Sequence, residues 1–372
     1  MPAQMPIGTR LASADAEPLV DTGEPAALHA PRLNRHTFWC GQSGSGKTYA
    51  LGVLLEQVLL HTRLPIVVLD PNSDFVHLGS VHEGTSEEAA AELAQRDIRV
   101  LHSAPPRDGD GDRLRVRFVD MDVRSRAAVL QMDPVRDADD FNAVLRVEAD
   151  LLNHLDRPLV EWLRESGDPS ADRIATLLEN LGISDWDLWA YGERDVTDVI
   201  NDRADATVVD LGRFSSAEQM RTAALAVLDR LWAQREERVG RLIVIDEAHN
   251  LCSPDAATPL ERLLAERIIQ IAAEGRKYGI WLLLSTQRPS KLHPNVISQC
   301  DNLALMKMSS ARDLAELAQI FGFAPQDLLE RAPSFAQGQA LFAGGFSPEP
   351  QLVQMGARLT REGGSDVPIE LR

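Results

Sequence analysis

Cysteine is scarce in this chain of 372 residues. Its three cysteines, Cys40, Cys252 and Cys300, are far apart, odd in number and without the paired spacing of a zinc or redox motif. That excludes a disulfide framework and leaves them as core thiols of a cytosolic protein. No run of about 18 apolar residues occurs, and the opening MPAQMPIGTRLASADAEP has no long apolar stretch behind a basic one. The expectation is a cytoplasmic protein with no membrane partner. Positive charge is also in deficit: a formal net charge of −18 excludes coating nucleic acid with the whole surface, because phosphate contact needs local positive potential. Internal repeats and low-complexity tracts are absent as well.

What the chain does have is alternation. Residues 1–35, rich in Pro, Ala and acids without a sustained period, read as an arm that orders only against a partner. From residue 36, short apolar runs alternate with amphipathic stretches: strand HTFWC, helix 47–61, strand PIVVLD, then strands near 98–101 and 115–119. Over 123–204 helical spacing takes over, as in Leu145, Leu151, Leu152 and Leu155, broken at Pro158, Gly167 and Gly182. The strand pattern resumes with TVVDL at 207–211, helix 216–238, strand 241–246, a helix over 259–277, strands IWLLLS and NLALMKM, and late strands near 339–343 and 351–355. Runs such as LIVID are apolar on both faces, which suits central strands covered by helices. The predicted fold is a doubly wound, mainly parallel α/β sheet. Its core is split into 36–122 and 205–346 by a helical insertion over 123–204, with a C-terminal segment over 347–372.

Two motifs carry chemistry. Gly41-Gln42-Ser43-Gly44-Ser45-Gly46-Lys47-Thr48 fits a phosphate-binding loop between a strand and a helix. Backbone N–H groups there cradle phosphates, Lys47 reaches the β and γ groups, and the Thr48 hydroxyl ligates magnesium. Tyr49, next on the helix, joins the nucleotide-binding set. Leu242-Ile243-Val244-Ile245-Asp246-Glu247 ends an apolar strand on two acids. Asp246 is assigned to the metal and Glu247 to the base that polarises the attacking water. The implied ligands are ATP and Mg2+. Strand IWLLLS leads into Gln287, whose amide can bond both the γ-phosphate and that water, the competing reading being an ordinary loop glutamine. Asp70-Pro71-Asn72-Ser73-Asp74-Phe75 supplies further acids, or simply turn chemistry. His249 has no partner ligand in the sequence and is given no metal.

WCGQSGSGKT, VVLDPNSDF, LIVIDEAHN, AAEGRKYGIWLLLSTQRPSKLHPNVISQC and GQALFAGG resemble, in order, the HerA branch of the HerA/FtsK superfamily. The resemblance runs over about 34–346. It implies a RecA-like motor working as a hexameric ring of identical subunits, with ATP bound between subunits and movement along double-stranded DNA as the output. By the same resemblance Lys47, Thr48, Asp246, Glu247 and Gln287 match the catalytic set, and Arg276 looks like an arginine finger donated to the neighbour's ATP. The alternative for Arg276 is a helix-end arginine favoured by the dipole. Arg35 stands where relatives carry a basic residue reaching across the interface, or is a surface arginine.

Residues 276–312 set Arg276, Lys277, Arg288, Lys291, Lys307 and Arg312 against the single acid Asp301, and read as the strip facing DNA, with Lys291 and Lys307 as phosphate contacts, or as a solvated face. Residues 1–35 are expected to be too few for the N-terminal β-barrel of the family, and Ala273 stands where many relatives have an additional arginine. These departures bring in a second reading, a regulatory ATPase subunit beside a nuclease or another effector in an anti-phage assembly. A third is the pumping ATPase of a secretion apparatus.

Overall fold

The computed structural model describes residues 4–12, 19–105, 111–151 and 156–364, with backbone alone over 146–151. Leu152 and Leu155, which contribute to the helical spacing, lie outside these residues. The strands are β1 (Gln4–Ala12), β2 (Val20–His29), β3 (Thr37–Cys40), β4 (Ile66–Asp70), β5 (Ile98–His102), β6 (Asp112–Arg113), β7 (Ala206–Asp210), β8 (Arg241–Ile245), β9 (Ile280–Thr286), β10 (Asn302–Met306), β11 (Gln339–Gly344) and β12 (Gln351–Met355). They form one sheet in the order β2-β1-β12-β11-β10-β3-β9-β8-β4-β7-β5-β6. From β10 to β6 each neighbouring pair is parallel, and from β10 back to β2 each is antiparallel.

The central strands β3, β4, β7 and β8 are buried at every position, as their two-sided apolar runs require. Their side chains alternate between two cores. Phe38, Cys40, Val67, Leu69, Ile243 and Ile245 face one, while Trp39, Ile66, Val68, Leu242 and Val244 face the other. Helix α1 (Lys47–His61) covers the second core through Leu51, Leu54, Leu55 and Val58. Helices α2 (Ala217–Ala233) and α3 (Pro259–Glu274) cover the first through Leu225, Leu228, Leu264 and Ile268. Among the described residues between Val123 and Asn201 the regular elements are helices, and Leu163, Ile174, Leu178 and Trp189 of this segment belong to the same contiguous cluster as α2 and α3. This segment therefore packs into the sheet's own core.

Two expectations change. The first residues are no unstructured arm: β1 and β2 form an antiparallel hairpin that adds to the sheet through β12, with Met5, Ile7, Ala26 and Leu28 buried. The irregular spacing that hid it has a cause, because β1 and β2 shift register between Pro6 and Gly8 and again between Thr9 and Leu11, which breaks the two-residue period. Residues 115–119 are not a strand either. Only Val116 makes an isolated bridge, to Trp189, and Phe118–Asp120 is a 3-10 turn.

Candidate functional site

In a parallel sheet the loops at the carboxyl ends of the strands converge, and a ligand crevice forms where they do. Here the loop after β3, the acids ending β8 and the residue after β9 meet at that edge, because β3, β9 and β8 are neighbours. The loop is shaped by its glycines. Gly44 (φ 76°) and Gly46 (φ 86°) take left-handed backbone, which other residues adopt at a cost. A Cβ on Gly41 would come within 2.8 Å of both Ser45 Oγ and Met306 Cβ. Helix α1 then starts at Lys47 with no side-chain cap on its first turn, so its N-terminal N–H groups and dipole face the loop.

Lys47 is 4% exposed. Its Nζ donates to Asp246 Oδ1 at 2.9 Å and Ser285 Oγ at 2.8 Å, and lies 3.1 Å from Glu247 Oε1. Burial alone would lower its pKa, but the two carboxylates outweigh burial and raise it, keeping the ammonium charged. Glu247 sits in left-handed backbone at φ 42°, a conformation that costs a non-glycine residue of order 1–3 kcal/mol. Its Oε1 accepts from Gln287 Nε2 at 2.8 Å, and its Oε2 lies 3.2 Å from His249 Nδ1. Burial pushes its pKa up, yet the His249 contact and the Lys47 charge together bring it down to about 2.

Asp246 is fully buried, and its Oδ2 has no hydrogen-bond partner among the described residues. Carboxylate oxygens of Asp70, Asp74 and Asp246 come within 4.8 Å of one another. Burial is the main reason that the Asp70 carboxyl is pushed up to about 8. Backbone N–H bonds from Phe75 and Asp74 oppose the shift, and the Asp246 charge adds to it. An orphaned carboxylate oxygen among crowded acids is chemistry that fits a divalent cation. Asp246 and Thr48 are the residues that would hold it, with the Asp70 and Asp74 carboxylates close to Asp246. A cavity of about 620 Å³ opens over the loop, lined by Lys47, Thr48, Tyr49 and Gln287 among others.

Lys47, Asp246, Glu247 and Gln287 are thus brought together, with the 41–49 loop above them. Arg276 and Arg35 are not among them. Arg276 precedes β9 while Gln287 follows it, and seven residues at about 3.3 Å each put the two edges roughly 20 Å apart. At that far edge Arg276 pairs with Asp301, and Arg35 Nε lies 3.7 Å from the same carboxylate. The basic segment is no single strip either, since β9 and β10 carry it across the sheet. Arg276 and Lys277 lie at the amino edge, and Arg288, Lys291, Lys307 and Arg312 beyond the carboxyl edge. Lys291 is exposed and 4.0 Å from Asp255. The Lys307 carbonyl accepts from the Gln42 N–H at 2.8 Å.

Two contributors escaped sequence reasoning. Ser285, the last residue but one of β9, bonds the Lys47 ammonium. His249, assigned no role from the sequence beyond the exclusion of a metal, bonds Thr286 Oγ1 at 2.9 Å as well as contacting Glu247. A hydroxyl ending the apolar run IWLLLS beside the nucleotide motifs was the available signal for Ser285; for His249 only its position two residues after Glu247 hinted at it.

The family model described as "Helicase HerA, central domain" matches residues 17–155. The DNA double-strand break repair helicase HerA of Sulfurisphaera tokodaii is 33% identical over 125 residues, which is 34% of this chain and 24% of that relative. HerA of Pyrococcus furiosus is 22% identical over 87% of this chain and 65% of its own length. The chain therefore spans about a quarter of the first relative's length and just under two thirds of the second's. Among solved structures, VirB4 of Thermoanaerobacter pseudethanolicus superposes with a TM-score of 0.60 at 14% identity, covering 95% of this chain and 96% of that one. The plasmid coupling protein TrwB, solved with ADP and Mg2+, gives 0.57 at 13% identity, covering 96% of each. At these identities the structural likeness speaks for the fold alone.

Proposed function

Since the chain is a HerA-like P-loop ATPase, we propose that it hydrolyses Mg-ATP to move along double-stranded DNA as a ring of identical subunits, six in number. The observation that carries this reading is the Lys47–Asp246–Glu247–Gln287 constellation beneath the phosphate loop, with Arg276 held at the opposite edge of the same sheet.

Phosphate oxygens compete with Asp246 and Glu247 for the Lys47 ammonium. Transfer of that ammonium to phosphate removes the charge that depresses Glu247, raises its basicity, and leaves it oriented by His249 and Gln287 to take a proton from water. Magnesium, which Asp246 and Thr48 would hold, would supply charge neutralisation at the phosphates. An arginine about 20 Å from its own loop cannot reach its own γ-phosphate. It is suited to reach a neighbour's, where it stabilises the charge that develops on the transferring phosphoryl group.

The test is ATP turnover with and without double-stranded DNA at fixed salt, for the wild type and Glu247→Gln, together with the mass of the assembly. A multimer whose turnover rises with DNA and disappears in the variant is expected. A monomer indifferent to DNA would sink the motor reading.

A second reading is favoured by charge. Residues 123–204 hold eighteen acids against nine basic residues, half of the chain's net negative charge. Such a surface repels DNA and suits a basic protein partner, as expected of an ATPase subunit working with a nuclease or another effector in anti-phage defence. Stoichiometric co-purification of a partner that loses the ATPase when residues 138–180 are charge-neutralised would favour it over the self-sufficient motor.

A further inference from the structure

The chain leaving β12 stays beside the phosphate loop. Residues 356–364 cross the outer face of α1 as a strap, and they are tied down by a buried charge. Glu56 interrupts the apolar run of α1 and is fully buried. Its Oε1 accepts from the Thr360 N–H at 2.8 Å and the Thr360 hydroxyl at 2.6 Å, and its Oε2 from the Leu359 N–H at 2.9 Å. The Arg358 guanidinium, also buried, sits 3.7 Å from the same carboxylate and over the ring of Phe75.

Helix α1 is cut to receive it, since a Cβ on Gly52 would lie 2.6 Å from Arg358 Nε. On its other side the strap bonds the loop after β4. Leu359 O accepts from the His82 N–H, Arg361 N–H donates to Ser80 O, and Gly363 N–H donates to Asp74 O. Burying an ion pair inside an apolar helix face costs desolvation that its attraction need not repay. What it achieves here is the fixed path of a loop.

That path ends at the cavity. Tyr49, one residue past Thr48, is 38% exposed, and its hydroxyl accepts from the Arg358 N–H at 2.7 Å. The strap therefore pins the ring at its far end, while the partly exposed ring lines the cavity. The cavity that begins at the phosphate loop continues past Tyr49 to Gln354, Gly356, Ala357 and Glu362. With phosphates at the loop end, the other end receives whatever the phosphates are attached to.

We propose that the strap builds the nucleoside half of the site: the base stacks on Tyr49, and Gln354 and Glu362 take hydrogen bonds from the sugar hydroxyls or the base edge. This rests on the nucleotide-binding reading above but not on ring assembly or DNA.

The test compares the affinities of Mg-ATP and magnesium tripolyphosphate for the full chain by calorimetry, in the wild type, Tyr49→Leu, Tyr49→Phe and Glu362→Ala. Base stacking on an aromatic ring is worth roughly fivefold to a hundredfold in affinity, so an effect of about tenfold is expected. The wild type should bind ATP at least about tenfold more tightly than tripolyphosphate. Tyr49→Leu should weaken ATP about tenfold and leave tripolyphosphate within about twofold. Tyr49→Phe, which keeps the ring and loses its tether, should fall between, and Glu362→Ala should weaken ATP alone by a few-fold. Equal wild-type affinities, or ATP and tripolyphosphate weakening in parallel in the variants, would overturn the strap's role while leaving the phosphate site standing. Binding of tripolyphosphate and ATP both absent in the wild type would overturn the nucleotide reading itself.

Discussion

The two edges of the sheet hold charge in opposite ways. At the carboxyl edge Lys47, Asp246 and Glu247 are all at least 95% buried, with both carboxylates on the Lys47 ammonium. At the amino edge Arg276, Arg35 and Asp301 are each exposed by two fifths or so. A buried ammonium between two carboxylates is costly to leave unpaired, so only another anion, such as a phosphate oxygen, can draw it away. An exposed pair is screened by water and worth little to stability, so Arg276 can leave Asp301 at little cost. The contrast teaches which charges need a replacement partner before they can move and which do not.

Arg276→Ala is the substitution that would break the comparison most visibly. Under the trans reading it lowers turnover by roughly 10³-fold or more while ATP binding holds. Mixing it with Glu247→Gln subunits should restore part of the activity, because some interfaces then combine an intact base with an intact arginine. Steady-state rates of the mixture that never exceed those of either variant would return Arg276 to a structural role.

Glu247→Gln alone should cost about 10² to 10⁴ in kcat with ATP affinity retained, a loss read in single-turnover assays. A smaller loss would move the base elsewhere.

His36, fully buried behind Arg276 and accepting the Leu282 N–H at 2.9 Å, sharpens the comparison through pH. Burial first, then the Arg276 charge, lowers its pKa from 6.5 to about 4, with Asp301 opposing and Arg35 assisting. Because the unfolded chain takes up this proton at higher pH than the folded one, the stabilisation is complete above 6.5 and is lost as pH falls through 4. The loss is up to about 3 kcal/mol. Thermal unfolding of His36→Gln between pH 7 and 4 should show a shallower decline than the wild type.

His249→Ala, which frees one side of Glu247, is expected to lower kcat about tenfold with KM nearly unchanged. Smallest of all, Asp301→Asn should move the unfolding free energy by no more than about 0.5 kcal/mol. A large destabilisation in denaturant titration would mean that the amino edge is held as firmly as the carboxyl edge.

Much of this is readable in the sequence, for reasons that differ by residue. The strand β8 and its two acids announce themselves because a central parallel strand is apolar on both faces and must end where polarity begins. The loop is legible because glycines at Gly44 and Gly46 answer a backbone demand that few other residues meet. The hairpin β1–β2 is hidden because its irregular register erases alternation. The pairing of Arg35 with Arg276 on Asp301 joins residues far apart in the chain, a coincidence set by strand order alone. Glu56 is visible as the one acid in LGVLLEQVLL, but its partners lie some three hundred residues onward.

The shared carboxylate at the amino edge has a thermodynamic corollary. Two guanidinium groups on one aspartate leave an unbalanced positive charge facing outward. If a neighbouring subunit's triphosphate neutralises it, nucleotide and assembly become linked equilibria. Whatever factor by which ATP tightens the contact between subunits must equal the factor by which that contact tightens ATP. The affinity for nucleotide would then rise with protein concentration, and a dilute sample would behave as a weaker ATPase than a concentrated one.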